Sequence, residues 1–148
     1  MSDTAERWAC DTSVAVAALD PNHEAHAPCR AAVLARRPVL AGRAAFEAYS
    51  VLTRLPVPLR LRLRLRLRLS AGQAASVLAA AFPSACWLSE CDSAALKSRL
   101  GELGIVGGSV YDALVGRAAA ADGRVLLTAD RRAERTYRAL DVPYEVVA

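Results

Sequence analysis

The sequence of 148 residues is poor in the residues from which several kinds of functional site are built. Its two histidines, His23 and His26, lie three apart, and no further ligands stand nearby to complete a zinc site with them. Its four cysteines include no C-x-x-C pair, so neither a zinc knuckle nor a redox motif is indicated. We expect buried, reduced thiols at these positions and a site that uses no histidine or cysteine nucleophile.

Long apolar runs are also missing. Hydrophobic residues make up 54% of the chain, yet no run approaches the roughly eighteen apolar residues that a membrane span requires. The segment before Trp8 is polar and includes Asp3 and Glu6, so it lacks the basic start and apolar stretch of a signal peptide. We therefore expect a cytoplasmic protein without a membrane span, and at this length a single domain over residues 1–148.

The positive charge is concentrated in one segment. Leucine and arginine alternate strictly from Leu59 to Leu69. Without the five arginines of this repeat, the formal net charge falls from +4 to −1, so basicity is a local feature. In a strand the alternation places all leucines on one face and all arginines on the other, whereas on a helix residues two apart are separated by about 200°. The pattern favours a strand or an extended arm.

Three explanations of the Leu-Arg repeat are open. An expanded repeat that a surface loop tolerates is the one we favour. An RNA-binding arm is the second, because a row of arginine–phosphate contacts strengthens binding in a salt-dependent way. A partner-binding or self-associating edge is the third, since an exposed leucine face tends to be covered.

Short apolar runs alternate with helical patterns along the chain, which is typical of an α/β fold with a parallel sheet covered by helices. Trp8 and Trp87 lie in strand-like runs and are predicted to be core residues, and Glu134 is predicted to be a turn or surface acid. Asp92 or Ser93 is predicted to be the N-cap of its helix. Strands are predicted at residues 8–10, 38–40, 85–88, 124–128 and 144–147. Helices are predicted at 13–19, 23–37, 44–55, 70–82, 92–103 and 110–121, and a last helix follows Asp130 and runs to about residue 140.

Four acidic residues are placed where an α/β fold binds ligands. Asp11 and Asp130 each follow a predicted strand and precede a helix, and the carboxyl ends of parallel strands line the ligand crevice. Glu47 and Asp112 lie near the starts of predicted helices and can point to the same end of the sheet. Carboxylates packed together repel one another unless a cation joins them, and such hard oxygen ligands suit Mg²⁺ or Mn²⁺.

Each of these acids also has an ordinary structural explanation. Asp11 and Asp130 suit helix N-caps. Asp112 stands at the capping-box spacing from Ser109, and Glu47 suits a solvated helix face. The pattern of single residues therefore leaves both explanations open.

The segments that contain the four acids resemble a known family. These segments are residues 9–14 (ACDTSV), 46–56 (FEAYSVLTRLP), 111–114 (YDAL) and 126–132 (LLTADRR). In order and spacing they resemble the PIN-domain ribonucleases, and within them most closely the VapC-type toxins of bacterial toxin–antitoxin pairs. The resemblance extends from about residue 8 to residue 147 and is interrupted by the Leu-Arg repeat, which the family pattern lacks.

The resemblance implies a three-layer αβα fold with four or five parallel strands, and a metal-dependent RNA endonuclease that leaves a 5′-phosphate and a 3′-hydroxyl. It implies that Asp11, Glu47, Asp112 and Asp130 form the catalytic site for Mg²⁺ or Mn²⁺, with Asp11 and Asp112 as the principal ligands. It also implies inhibition by a small antitoxin that covers the acidic pocket. A homodimer is implied as well, and the apolar helices after Ser70 are candidates for its interface.

Residues beside the acids are candidates for supporting roles. The hydroxyl-bearing residues are candidates for orienting the carboxylates, although capping explains them equally well; they are Thr12, Ser13 and Thr128. Arg131 and Arg132 are candidates for RNA phosphate contacts or are simply solvated surface charges.

Two other functions compete with the ribonuclease. One is an acid-site phosphohydrolase or DNA nuclease on a similar sheet. The haloacid-dehalogenase pattern needs a second aspartate two residues after the first, and Ser13 occupies that place. The other is a catalytically degenerate PIN scaffold that binds RNA or a protein partner, against which the presence of all four acids argues.

Overall fold

A parallel five-stranded β-sheet lies at the centre of the molecule. In the computed structural model, which describes residues 6–54 and 69–148, the strand order is β3-β2-β1-β4-β5 and each neighbouring pair is parallel. The predicted parallel sheet of four or five strands is confirmed with five. The strands are β1 (Trp8–Cys10), β2 (Val39–Ala41), β3 (Ala85–Cys86), β4 (Val125–Thr128) and β5 (Tyr144–Val146).

Seven helices in the described part of the chain alternate with these strands. None of them is long and apolar enough to cross a membrane. The helices are α1 (Thr12–Leu19), α2 (His26–Arg36), α3 (Ala44–Arg54), α4 (Ala71–Ala81), α5 (Glu90–Leu103), α6 (Ser109–Ala121) and α7 (Glu134–Ala139).

Two hydrophobic cores lie on opposite faces of the sheet, because successive side chains of a strand point to opposite faces. Cys10 of β1 and Leu127 of β4 belong to the core that residues of α1, α2, α3 and α4 complete. Their chain neighbours Ala9 and Leu126 belong to the second core, to which α5, α6 and α7 contribute, including Tyr137. The sheet therefore lies between two helical layers, as the predicted three-layer αβα fold requires.

The structure corrects three local predictions. Helix α5 begins at Glu90 and is capped by Ser89, whose hydroxyl oxygen accepts a 3.0 Å hydrogen bond from the backbone of Asp92; the expected cap at Asp92 or Ser93 is wrong. Strand β3 ends at Cys86. Trp87 is consequently 54% exposed and lies 5.8 Å from the ring of Phe46, so it is not a core residue.

Two further predictions concern the cysteine thiols and the Leu-Arg repeat. Cys10, Cys29 and Cys86 are buried and free, as predicted, whereas Cys91 is free and exposed. The Leu-Arg repeat lies outside the described residues except for Leu69, which packs against the core on the α1 side of the sheet.

Candidate active site

Asp11 ends β1 and begins α1. Its backbone N–H donates to the carbonyl of Leu127 at 3.1 Å, which continues the pairing of β1 with β4. Its side-chain Oδ1 accepts from the backbone N–H of Val14 at 3.3 Å, so Asp11 is the N-cap of α1. The residue is only 5% exposed. The capping explanation is therefore correct for this residue, but it accounts for only one oxygen of the carboxylate.

The second oxygen of Asp11 is held by a residue that the sequence did not reveal. The Tyr137 hydroxyl donates to Asp11 Oδ2 at 2.9 Å, across 126 positions of the chain. Burial and the neighbouring Asp11 raise the pKa of Tyr137 far above its usual range, so this hydroxyl keeps its proton and acts as a donor. Tyr137 lies in a short helix of mostly polar residues, and only the tertiary structure shows its partner.

The three predicted supporting residues contact the acids or their backbone. The Ser13 hydroxyl donates to Asp11 Oδ1 and accepts from the backbone N–H of Ala129 at 2.8 Å. Thr128 is fully buried, and its hydroxyl oxygen accepts from the backbone N–H of Asp130 at 3.1 Å. The bond between Ser13 and Ala129 joins the chain after β1 to the chain after β4.

Glu47 is linked to the start of α1. It lies in the first turn of α3, and its Oε2 accepts from the Thr12 hydroxyl at 3.2 Å. Thr12 follows Asp11 directly, so this bond holds Glu47 beside the end of β1 at partial burial.

The other three acids act on the charge of Asp112. Burial, followed by repulsion from Asp130, Asp11 and Glu47, raises the pKa of Asp112 to about 6, against a small opposing effect of Arg132. Asp130, Asp11 and Glu47 therefore all lie within electrostatic reach of Asp112. Because nearby carboxylates repel one another, it is unfavourable for all four to be negatively charged when no cation is present.

Burial also raises the pKa of Asp11, despite hydrogen bonds that favour its charged form. These bonds come from Ser13, Thr128, Tyr137 and the backbone of Val14. Desolvation acts against the negative charge, while the hydrogen bonds fix where the carboxylate points. Asp11 is thus a well-oriented carboxylate in a setting that favours a neighbouring positive charge.

Protein cations contribute little to this neighbourhood. Among the salt bridges of residues 6–54 and 69–148, none involves Asp11, Glu47 or Asp112. Asp130 Oδ1 accepts from the backbone of Arg132 at 3.0 Å and meets its Nε at 3.5 Å, although the Arg132 side chain is 95% exposed. Arg131 lies 4.0 Å from Glu134 instead.

Capping does not explain Asp112 and Asp130. The N-cap of α6 is Gly108, with no side-chain capping bond, so the capping-box role predicted for Asp112 is not formed. The N-cap of α7 is Ala133, three residues beyond Asp130, because a turn precedes the helix. The N-cap role considered for Asp130 is therefore wrong.

Oxygen donors of this kind suit a hard cation such as Mg²⁺ or Mn²⁺. Within the described residues, no three His, Cys, Asp or Glu side chains are already gathered closely enough to hold a metal ion. Mg²⁺ commonly binds through one or two carboxylates and keeps several waters. The donor chemistry and the mutual repulsion therefore fit a cation that is held partly through water.

Comparisons with known proteins agree with this fold. The PIN domain family matches residues 9–139. Ribonuclease VapC40 of Mycobacterium tuberculosis is 42% identical over 138 residues, which cover 93% of this chain and 96% of the relative. Ribonuclease VapC27 of the same organism is 41% identical over 140 residues, 95% of this chain and 96% of the relative. The chain therefore belongs to the PIN-domain family and, within it, to the VapC-type ribonucleases.

Proposed function

We propose that this protein is a metal-dependent RNA endonuclease, the toxin of a toxin–antitoxin pair, that hydrolyses phosphodiester bonds at Asp11, Glu47, Asp112 and Asp130. The observation that carries the proposal is that these acids share one neighbourhood in which Asp11, Glu47 and Asp112 have no salt-bridge partner in the described part of the chain. Two relatives that are named ribonucleases support the reaction class.

Asp11 and Asp112 are the principal metal ligands in this proposal. Glu47 and Asp130 complete the shell directly or through water, and one of them orients the attacking water. When bound, Mg²⁺ or Mn²⁺ supplies Lewis-acid activation and neutralises charge at the phosphate. The water oxygen bonds to phosphorus while the bond from phosphorus to O3′ breaks, so that a 5′-phosphate and a 3′-hydroxyl remain.

Thr12 and Ser13 hold Glu47 and Asp11 in place for this reaction through the hydrogen bonds described above, and Thr128 fixes the backbone before Asp130. Arg131 and Arg132 follow Asp130 with side chains that are 71% and 95% exposed. Exposed guanidinium groups beside the acids are available for RNA phosphates, which position a nucleic acid without reading its sequence.

The proposed partners are a small antitoxin protein, RNA and a second copy of the chain, with the cytoplasm as the place of action. Helix α4 exposes only small or polar side chains, which gives little support to a dimer built on it. Phe46, Trp87 and Tyr111 are 70%, 54% and 47% exposed. Exposed aromatic side chains are enriched at protein interfaces, so these three are the better candidates for the homodimer contact. Light scattering after gel filtration, with Phe46→Ser as the variant, tests this.

The experiment that tests the proposed activity is cleavage of total small RNA by the purified chain. Reactions contain Mg²⁺, Mn²⁺ or EDTA, and Asp11→Asn is purified and assayed in parallel. Discrete products that need the metal and vanish in the variant support the nuclease. The same assay on single-stranded DNA tests the competing DNA nuclease.

The degenerate scaffold predicts a different result. It predicts no cleavage and no thermal shift with Mn²⁺, while RNA or a protein partner still binds. This outcome would mean that the protein binds RNA or a partner but is not an enzyme.

A further inference from the structure

Tyr137 is the residue near the acids whose role the proposed reaction leaves unassigned. It is the largest side chain with under 2% exposure in the described part of the chain. Its hydroxyl is the one polar atom that the side chain carries, and it reaches Asp11 Oδ2 at 2.9 Å. A buried tyrosine hydroxyl normally finds a partner, but this partner is a carboxylate that we assign to the metal.

The ring of Tyr137 is fixed from several sides. A Cβ atom at Gly116 of α6 would lie 2.9 Å from Tyr137 Cδ1, so the absence of a side chain at Gly116 lets the ring pack directly on the helix. The Tyr144 ring lies 5.7 Å away at a tilt of 51°. Because the ring has little freedom, its hydroxyl has a defined position relative to β1.

The two oxygens of Asp11 are therefore held from two directions. Ser13 and the backbone of Val14 hold Oδ1 from within α1, and Tyr137 holds Oδ2 from α7. Thr128 of β4 also forms a hydrogen bond that favours the charged carboxylate, and Tyr137 is the residue that holds Oδ2. Loss of a hydrogen bond that orients a metal ligand typically weakens metal binding by about 10–100-fold.

We propose that Tyr137 is a positioning residue for the metal site, which sets the orientation of Asp11 through the hydrogen bond to Oδ2. This inference rests on the proposed metal-dependent function. It assigns to α7 a task beyond packing, since α7 carries the residue that completes the environment of a ligand at the other end of the sequence.

The test compares two tyrosine variants. Tyr137→Phe removes the hydroxyl and keeps the ring. Tyr144→Phe is the matched control, because its hydroxyl also donates to a carboxylate, Glu134 Oε1 at 2.9 Å, on the neighbouring ring. Mn²⁺ affinity of the full chain is measured by calorimetry, and urea unfolding of the metal-free variants measures their stability.

We expect Tyr137→Phe to bind Mn²⁺ about 10–100-fold more weakly than wild type, and Tyr144→Phe to bind it with unchanged affinity. In RNA cleavage, Tyr137→Phe should lose kcat at low Mn²⁺, regain most of it at saturating Mn²⁺, and keep its KM for RNA. A role confined to packing would not produce this dependence on metal concentration.

Two outcomes would overturn the inference, and only the second would also overturn the proposed function. If wild type binds Mn²⁺ and Tyr137→Phe binds it equally well or more tightly, the positioning role is wrong and the proposed function stands. If wild type itself neither binds Mn²⁺ nor cleaves RNA, the proposed function fails together with the inference.

Discussion

Two carboxylates of this protein accept hydrogen bonds from neighbouring tyrosines, and their surroundings differ. Asp11 accepts from Tyr137 at 2.9 Å, and Glu134 accepts from Tyr144 at 2.9 Å. Glu134 is also paired with Arg138 at 3.1 Å. Asp11 forms no salt bridge with any described residue.

This difference indicates that Glu134 has a structural role, whereas Asp11 is the candidate for binding a cation. Glu134 was predicted to be a turn or surface acid, but its side chain is only 16% exposed. Its arginine partner lies in the same helix, and its Tyr144 partner joins α7 to β5. Asp11 is oriented by hydrogen bonds but lacks a neutralising partner, which is costly for a buried charge. An acid that is held in place without a cation is the one that we expect to bind a cation from solution.

The largest effect that this comparison predicts is on catalysis. Asp11→Asn keeps the shape of the side chain but removes the charge that holds the metal. We expect RNA cleavage to fall by more than about a hundredfold, beyond the usual loss from an outer contact of a metal site. The measurement is single-turnover cleavage at saturating Mg²⁺.

Glu134→Gln is the matched control for this loss. It neutralises the carboxylate that arginine already pairs, and we expect cleavage within about threefold of wild type with some loss of stability. Equal losses of activity in the two variants would remove the distinction between the two carboxylates.

The next effect concerns the packing that holds Tyr137. In Gly116→Ala the new methyl group overlaps Tyr137 Cδ1 at 2.9 Å and Val142 Cγ2 at 3.0 Å. We expect a loss of about 1–3 kcal/mol in the free energy of unfolding, which is typical of overpacking, together with weaker Mn²⁺ binding.

Gly101→Ala provides the control with the opposite sign. Gly101 lies within α5, and nothing lies within 4 Å of a Cβ atom built there. Replacing a helical glycine by alanine usually stabilises a protein by about 0.5–1 kcal/mol. If both variants are destabilised, the stability loss of Gly116→Ala is not caused by the lack of space around Tyr137.

The site was less predictable from the sequence than the sheet. Strand β1 matches its predicted bounds, because short apolar runs followed by acids are a local signal. Tyr137 was missed because its partner lies 126 positions away. Helix α7 begins later than predicted because the Asp130 side chain accepts from the backbone of Arg132, which forms a turn where a helix N-cap was expected. Trp87 was expected in the core, but β3 ends before it.

A moderate effect is predicted for pH. The pKa of Asp112 is raised to about 6, so below pH 6 a proton competes with the metal, and the apparent Mg²⁺ affinity should fall up to about tenfold per pH unit. Isothermal titration between pH 5 and 8 measures this. An affinity that does not change across this range would contradict the assignment of Asp112 as a ligand.

The same shift predicts the sign of a stability change in EDTA. A folded-state pKa above the ordinary value of 3.8 means that protonated Asp112 stabilises the fold. This contribution is present below pH about 4 and is lost as pH rises through about 6. We therefore expect Asp112→Asn to melt at a higher temperature than wild type at pH 8, with the difference shrinking by pH 4.

The smallest effect is expected for the Leu-Arg repeat. If the repeat is a tolerated expansion, deletion of residues 60–68 leaves RNA affinity and its salt dependence unchanged. An RNA-binding arm predicts a smaller salt slope after deletion, because each lost phosphate contact reduces it. Filter binding at several salt concentrations separates these outcomes, and a change in oligomeric state would instead support a self-associating edge.

The most direct test of the central claim is to locate the metal. Crystals grown with Mn²⁺ are measured for anomalous scattering, which marks the ion independently of the protein. The account predicts a Mn²⁺ ion coordinated by Asp11 and Asp112, with Glu47 or Asp130 bound directly or through water. A protein that cleaves RNA with its Mn²⁺ bound elsewhere, for example at Glu134, would contradict it.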